Sequence, residues 1–100
     1  MAKITPRQEK ILSNLADIVH GEVGEISLQA ARGIMHFAIE SVCSEWGIDL
    51  AQAEVFEIQK RKKFFSELME NVGQRISRYH VRPDKVEEIL KKLFEEYSKH

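Results

Sequence analysis

The chain of 100 residues contains one cysteine, two prolines and five glycines. A single cysteine leaves no partner for an internal disulfide bond, so the sequence gives no sign of an oxidising compartment. The small number of prolines and glycines argues against long disordered linkers. No apolar run reaches the length of a membrane span or of a signal-peptide core. We therefore expect one domain, residues 1–100, that lies in the cytoplasm and does not associate with a membrane.

A strong charge of one sign is also missing, because the formal net charge at pH 7 is -1. Residues 1–50 carry 4 basic and 7 acidic side chains, a net charge of -3, and residues 51–100 carry 11 and 9, a net charge of +2. This difference indicates a basic patch in the second half of the chain. It does not indicate a protein dedicated to nucleic-acid binding.

The most extensive apolar pattern lies between Ser27 and Gly47, with apolar residues spaced by three and four positions. Ser27 suits a helix N-cap, and Gly47 suits the left-handed position that ends a helix. The polar residues of this stretch share a strip about one third of the circumference wide. They are Gln29, Arg32, Gly33, His36, Glu40 and Ser44. The pattern predicts a helix over 28–46 that other helices cover on more than one side.

Apolar stripes predict three further helices around this central one. The four predicted helices span about 6–20, 28–46, 50–79 and 84–98. Gly73 predicts a kink or an end within the third of them, because glycine disfavours a helix interior. Residues 54–59 also alternate as a strand does, so a strand paired between molecules stays open as an alternative there. The predicted fold class is all-α: a four-helix bundle-like single domain with a largely buried second helix and a long third helix.

Four consecutive cations form the densest charge cluster of the chain. They are Lys60, Arg61, Lys62 and Lys63, and Arg75, Arg78 and Arg82 follow in the same segment. Neighbouring residues on a helix point in different directions, so the four cannot form one flat groove-reading face. They can still bind phosphate oxygens, which makes an accessory nucleic-acid-binding protein the second functional hypothesis. The alternative interpretation is a solvated helix surface whose long side chains shield two phenylalanines.

The sequence contains no legible catalytic, cofactor-binding or metal-binding set. Asp17 with His20 and His36 with Glu40 have ligand-like spacing, but a di-metal bundle needs further inward-pointing carboxylates. Cys43 belongs to an apolar row near the C-terminal end of its helix, where the helix dipole opposes a thiolate. We expect solvated histidine–carboxylate pairs, a core cysteine, no cofactor and no enzymatic activity.

The excess apolar surface of the second helix favours association with another chain. The third segment, about 45 Å long if it is one straight helix, would also extend beyond a compact monomer. The candidate dimer or partner face consists of Gly33, Phe37, Phe64 and Phe65. The leading hypothesis is a non-enzymatic protein–protein interaction or regulatory module that forms a homodimer and recruits a protein partner. A well-packed monomer with a kinked third helix is the alternative.

Overall fold

The capping signals of the sequence coincide with the ends of helices in the computed structural model, which describes residues 5–99. These helices are α1 (Pro6–Val23), α2 (Leu28–Trp46), α3 (Ile58–Ser77) and α4 (Pro83–Ser98), with a 3-10 segment at Leu50–Val55. Residues 5–99 contain no strand. The prediction of an all-α, four-helix fold is confirmed.

Side-chain and glycine caps define the ends of α1 and α2. The Thr5 hydroxyl accepts from the Gln8 amide at 3.2 Å, and the Ser27 hydroxyl accepts from the Ala30 amide at 3.0 Å. Gly47 ends α2 with a φ of 65°, a left-handed conformation that glycine adopts without a steric penalty. Local chemistry therefore fixes α2 at the predicted bounds.

The prediction of a third helix over 50–79 is wrong for its first eight residues. The predicted capping box is present, since the Asp49 amide donates to the Gln52 side chain at 3.0 Å, but it opens only the short 3-10 segment. Phe56 then has extended backbone, with a ψ of 146°, and its ring stacks on Trp46 with centroids 5.5 Å apart. This contact turns the chain between Val55 and Ile58, so residues 54–59 form neither one continuous helix nor a strand. At 20 residues α3 is still the longest of the four helices.

The helices pack mainly in the cyclic order α1–α2–α3–α4, with α4 against α1. The core of α2 faces α1 on one side and α3 on the other, as its wide apolar surface predicts. The molecule measures 35 × 25 × 24 Å, and α3 is about 30 Å long. The overhanging third helix expected from the sequence is therefore absent.

Gly73 lies within α3, which continues without interruption to Ser77. A Cβ atom at Gly73 would lie 3.1 Å from the Leu90 Cδ1 atom and 3.6 Å from the Val86 Cγ1 atom. The glycine therefore allows α4 to pack closely against α3. The predicted helix end at this position is wrong.

An ion-pair network joins the end of α1 to α4. The Glu22 carboxylate contacts Lys92 and also Lys85, whose ammonium lies 2.9 Å away. Glu88 pairs with both lysines within α4, at 3.7 Å from Lys85 and 3.5 Å from Lys92. The hydrogen bond from Lys92, followed by that from Lys85, lowers the pKa of Glu22 below its ordinary value. In the described residues 5–99, no helix is both long and apolar enough to cross a membrane.

Candidate protein-interaction groove

One apolar row of α2 is only partly covered by the rest of the bundle, and its exposed member is Phe37. Ala30, Ile34 and Phe37 follow one another along this helix face, and Ile34 is buried while Ala30 is half-buried. The Phe37 side chain is 61% exposed, although the apolar pattern placed it beside core residues. The excess apolar surface predicted for α2 is therefore real, and it is concentrated at this row.

The end of α3 forms the second wall beside this row. Together the two helices enclose an open groove with a volume of about 580 Å³, which we call the α2–α3 groove. This volume lies within the range of about 300–1,000 Å³ that is typical of ligand-binding clefts. Its lining residues are Ser27, Gln29, Ala30, Gly33, Ile34, Phe37, Arg75, Arg78 and Tyr79. Tyr79, which is exposed, was predicted only as part of an apolar helix face.

Arg75 is held between the two helices by neutral groups. Its Nε donates to the Asn71 Oδ1 atom at 2.8 Å, and its Nη2 donates to the Ser41 Oγ atom at 3.3 Å. The guanidinium carbon lies 5.9 Å from the centre of the Phe37 ring, within the range of a cation–π contact. None of these partners carries a negative charge, so the positive charge of Arg75 remains uncompensated beside the groove.

The groove is cationic as well as apolar. Among the described side chains no aspartate or glutamate lines it, and neither Arg75 nor Arg78 forms an ion pair. Tyrosine and arginine, which both line this groove, are enriched among the residues that dominate the binding energy of protein interfaces. A ligand that complements this surface therefore has both apolar and acidic groups.

Gly33 keeps the floor of the α2–α3 groove open. The nearest atom to a Cβ built at this position is the Phe37 Cε2 atom, 4.0 Å away. A larger side chain at residue 33 would therefore project into open space without meeting the core. This makes Gly33 a position where the groove can be blocked without disturbing the fold.

The cations predicted as one nucleic-acid surface lie in three separate places. Lys60 to Lys63 are exposed in the first turns of α3, and Arg78 lies about 27 Å further along the helix axis. Arg82 pairs with Asp84 at 3.2 Å. Lys60 also lies 5.8 Å from the centre of the Phe56 ring. The structure therefore brings Arg75 and Arg78 together but separates them from the basic cluster.

The predicted partner face divides into a surface pair and a core pair. Gly33 and Phe37 both line the α2–α3 groove. Phe64 and Phe65 are only 2% exposed, so they belong to the core and do not form a contact face in this fold. The physical reason is that Trp46 meets the Phe64 ring edge-on at 5.4 Å, and Tyr97 stacks on the Phe65 ring at 4.1 Å.

The candidate metal and thiol residues have structural surroundings. The Nδ1 atom of His20 lies 2.9 Å from the Ile26 carbonyl oxygen, so the ring donates there and ties the end of α1 to the following loop. His36 faces a separate cleft beside Glu9. Cys43 is buried, and loss of solvation raises the pKa of its thiol. Among residues 5–99, no three His, Cys, Asp or Glu side chains are grouped closely enough to hold a metal ion.

The fold and this site define a small helical bundle with a cationic, partly apolar groove open on one side. Comparison of the chain with protein-family models, with curated proteins and with solved structures gave no match. The chemistry of the α2–α3 groove is therefore the basis for a functional proposal.

Proposed function

We propose that the chain is a non-enzymatic protein-interaction module whose α2–α3 groove binds an acidic, amphipathic segment of a partner protein. The observation that carries this proposal is the exposed Phe37 ring beside Arg75 and Arg78, with no carboxylate among the described residues that line the same groove. Burying exposed apolar surface contributes roughly 25 cal/mol per Å². Acidic side chains of the partner would add charge-assisted hydrogen bonds to the arginines.

The shape of the groove suits a helix as the bound segment. Its two walls come from the helices α2 and α3, and the exposed rings of Phe37 and Tyr79 can contact a stripe of aliphatic side chains. Amphipathic helices bind such grooves through anchors spaced by three and four residues. Acidic residues on either side of that stripe would then reach Arg75 and Arg78.

The charge of the groove favours a different protein over a second copy of the chain. A symmetric dimer through this surface would bring Arg75 and Arg78 of both copies into one interface, four cations in all. Like charges brought together across an interface weaken binding. Homodimer formation stays a prediction. Of the two arguments for it, the overhanging third helix is absent, and only the apolar row of α2 remains. The buried, single cysteine suits a reducing compartment, so we place the interaction in the cytoplasm.

The first experiment blocks the groove at its floor. The probe is a synthetic helical peptide with a leucine stripe flanked by glutamates, and its binding is measured by isothermal titration calorimetry. Gly33→Leu should weaken binding by at least about tenfold, since tenfold corresponds to only 1.4 kcal/mol. Gly21→Leu is the matched control, because Gly21 is also a helical glycine with no atom within 4 Å of a Cβ position. Equal binding by both variants would contradict the proposal.

The second experiment tests the charge. The Arg78→Glu variant should bind the glutamate peptide about tenfold more weakly than the wild type does. It should bind a peptide in which lysines replace the glutamates more tightly than the wild type does. Lys91→Glu is the control, since Lys91 is exposed on α4 and does not line the groove. Binding of a single-stranded oligonucleotide that Arg78→Glu abolishes would support the nucleic-acid alternative. A concentration-dependent dimer that Gly33→Leu dissociates would support the homodimer.

A further inference from the structure

A second apolar cavity lies at the other end of α3, where that helix begins and α4 ends. Its volume is about 220 Å³, and we call it the α3–α4 pocket. The lining residues are Ile58, Arg61, Lys62, Phe65, Phe94, Tyr97 and Ser98. None of them lines the α2–α3 groove, so the pocket is a separate surface.

Aromatic and aliphatic side chains form the interior of this pocket. The Phe65 ring stacks on Tyr97 with centroids 4.1 Å apart and lies 5.6 Å from the Phe94 ring. Phe94 is 50% exposed and Ile58 is 65% exposed, although both are large apolar residues. A ligand that covers them removes this apolar surface from water.

The charged residues described at the border of the apolar interior are two cations, Arg61 and Lys62. Arg61 and Lys62 are exposed, and in the described part of the chain neither forms an ion pair. Among the side chains that the structure describes, no aspartate or glutamate lines the pocket. Two lysines of α4 differ in this respect, because Lys85 and Lys92 form ion pairs with Glu22 and Glu88. The ligand that complements the α3–α4 pocket is therefore apolar at one end and anionic at the other.

The size and chemistry of the pocket distinguish between ligand classes. Its volume is below the roughly 300–1,000 Å³ typical of pockets that enclose a whole ligand, so only one end of the ligand is enclosed. A helical peptide needs a longer groove that receives several anchors in turn. Single-stranded nucleic acid is bound along a groove in which successive bases stack, whereas this pocket is one small cavity. A flexible alkyl chain satisfies the apolar interior without these requirements.

We propose that the α3–α4 pocket binds a single-chain amphiphile with an anionic headgroup, in its free monomeric form. The alkyl chain contacts Ile58, Phe65 and Phe94, and the headgroup lies at the rim within reach of Arg61 and Lys62. The proposal is independent of the partner proposed for the α2–α3 groove.

The test uses dodecanoate below its micelle-forming concentration, added to the full-length, isotope-labelled chain and followed by amide NMR shifts. The shifts should concentrate in residues 58–65 and 94–98. Dodecyltrimethylammonium, with the same chain and the opposite charge, should bind at least about tenfold more weakly. Equal binding of the two amphiphiles, or shifts confined to other residues, would overturn the proposal.

Variants locate the site and test both ends of the ligand. Lys62→Glu and Phe94→Ala should each weaken dodecanoate binding by about tenfold. Both positions are exposed, so the folded state should persist, and circular dichroism checks this. Lys63→Glu is the matched control, because Lys63 is an exposed neighbouring cation that does not line the pocket. If all three variants bind like the wild type, the pocket is not the site.

Three other probes decide between the remaining occupants. Binding to phosphatidylglycerol vesicles without binding of monomeric dodecanoate would replace the proposal with a lipid surface. The proposal would likewise be replaced if only the glutamate peptide, or only a single-stranded oligonucleotide, shifts the amide signals of residues 58–65 and 94–98. The proposal is supported if Lys62→Glu abolishes dodecanoate binding and none of these three probes shifts the same residues.

Discussion

Gly21, Gly33 and Gly73 all lie within helices, but only Gly73 has a neighbouring helix in contact with the position of a Cβ atom. Glycine in a helix interior costs about 1 kcal/mol relative to alanine. At Gly73 this cost is offset by the close approach of Leu90 and Val86 from α4. At Gly33 no packing contact offsets it, which is consistent with a position kept small for a ligand.

A substitution at each of two glycines should change stability in opposite directions. Gly73→Val should lower the free energy of unfolding by about 1–3 kcal/mol, because the added methyl groups meet Leu90 in the core. Gly21→Ala should raise it by up to about 1 kcal/mol, because the position is open and helical. Urea unfolding followed by circular dichroism measures both. An unchanged stability for Gly73→Val would show that α4 can move away without cost.

At the scale of the element, local signals predicted α2 well and α3 only in part. The caps at Ser27 and Gly47 act within one helical turn, so the sequence alone located both ends of α2. The start of α3 depends instead on the Phe56 ring, which stacks on Trp46 of the preceding helix. Helical periodicity continues through Val55 and Ile58 whether or not that contact forms. No local pattern distinguishes the continuous helix from the broken one.

The charges of α3 oppose its helix dipole at the N-terminal end. Its first turn contains no acidic residue, and the basic cluster begins at Lys60, two residues after the helix starts. Positive charge near a helix N-terminus is unfavourable by about 0.3–1 kcal/mol. This cost is consistent with a basic cluster retained for binding an anion.

A matched pair of charge substitutions on α3 should show this dipole effect. Gln59→Glu, in the first turn, should raise the free energy of unfolding by about 0.3–1 kcal/mol, because it favours both the dipole and Lys63 one turn later. Gln74→Glu, in the last turn, should lower it by a similar amount, since it opposes the dipole and repels Glu70. Thermal unfolding at low salt measures both. Effects of the same sign for the two variants would contradict this account.

At the scale of the whole molecule, the contact between α1 and α4 was outside what periodicity can predict. Glu22 and Lys85 are 63 residues apart in the chain, yet their charged groups lie 2.9 Å apart. The sequence shows that both residues are polar, but it does not show which helix faces which. The same reason applies to the candidate site: the sequence predicted Gly33 and Phe37 as part of a partner face, whereas their position in one groove with Arg75 and Arg78 required the tertiary structure.

The Glu22 network should make stability depend on pH. Its folded-state pKa lies below the unfolded value, which is about 4.3 for glutamate. The stabilisation is therefore fully present above that value and is lost as the pH falls through the lower, folded-state pKa. Glu22→Gln should lower the free energy of unfolding by up to about 1 kcal/mol at pH 7. The free energy of unfolding of this variant should also fall less than that of the wild type when the pH is lowered below about 5.

Urea unfolding at a series of pH values measures this effect. Glu87→Gln is the control, because Glu87 is exposed on α4 and forms no ion pair in the part of the chain that the structure describes. The control should retain the wild-type dependence on acidity. If Glu22→Gln and Glu87→Gln change the pH dependence of stability equally, the effect comes from net charge and not from the Glu22 network.

The placement of the aromatic side chains gives each proposed surface its own spectroscopic label. The chain has two tyrosines and one tryptophan. Tyr79 lines the α2–α3 groove and Tyr97 lines the α3–α4 pocket, while Trp46 lines neither. Incorporated fluorotyrosine would therefore give two fluorine resonances, one from each surface, and the emission of the tryptophan would independently report whether the bundle remains folded. Occupancy of the two surfaces can then be followed simultaneously in one sample.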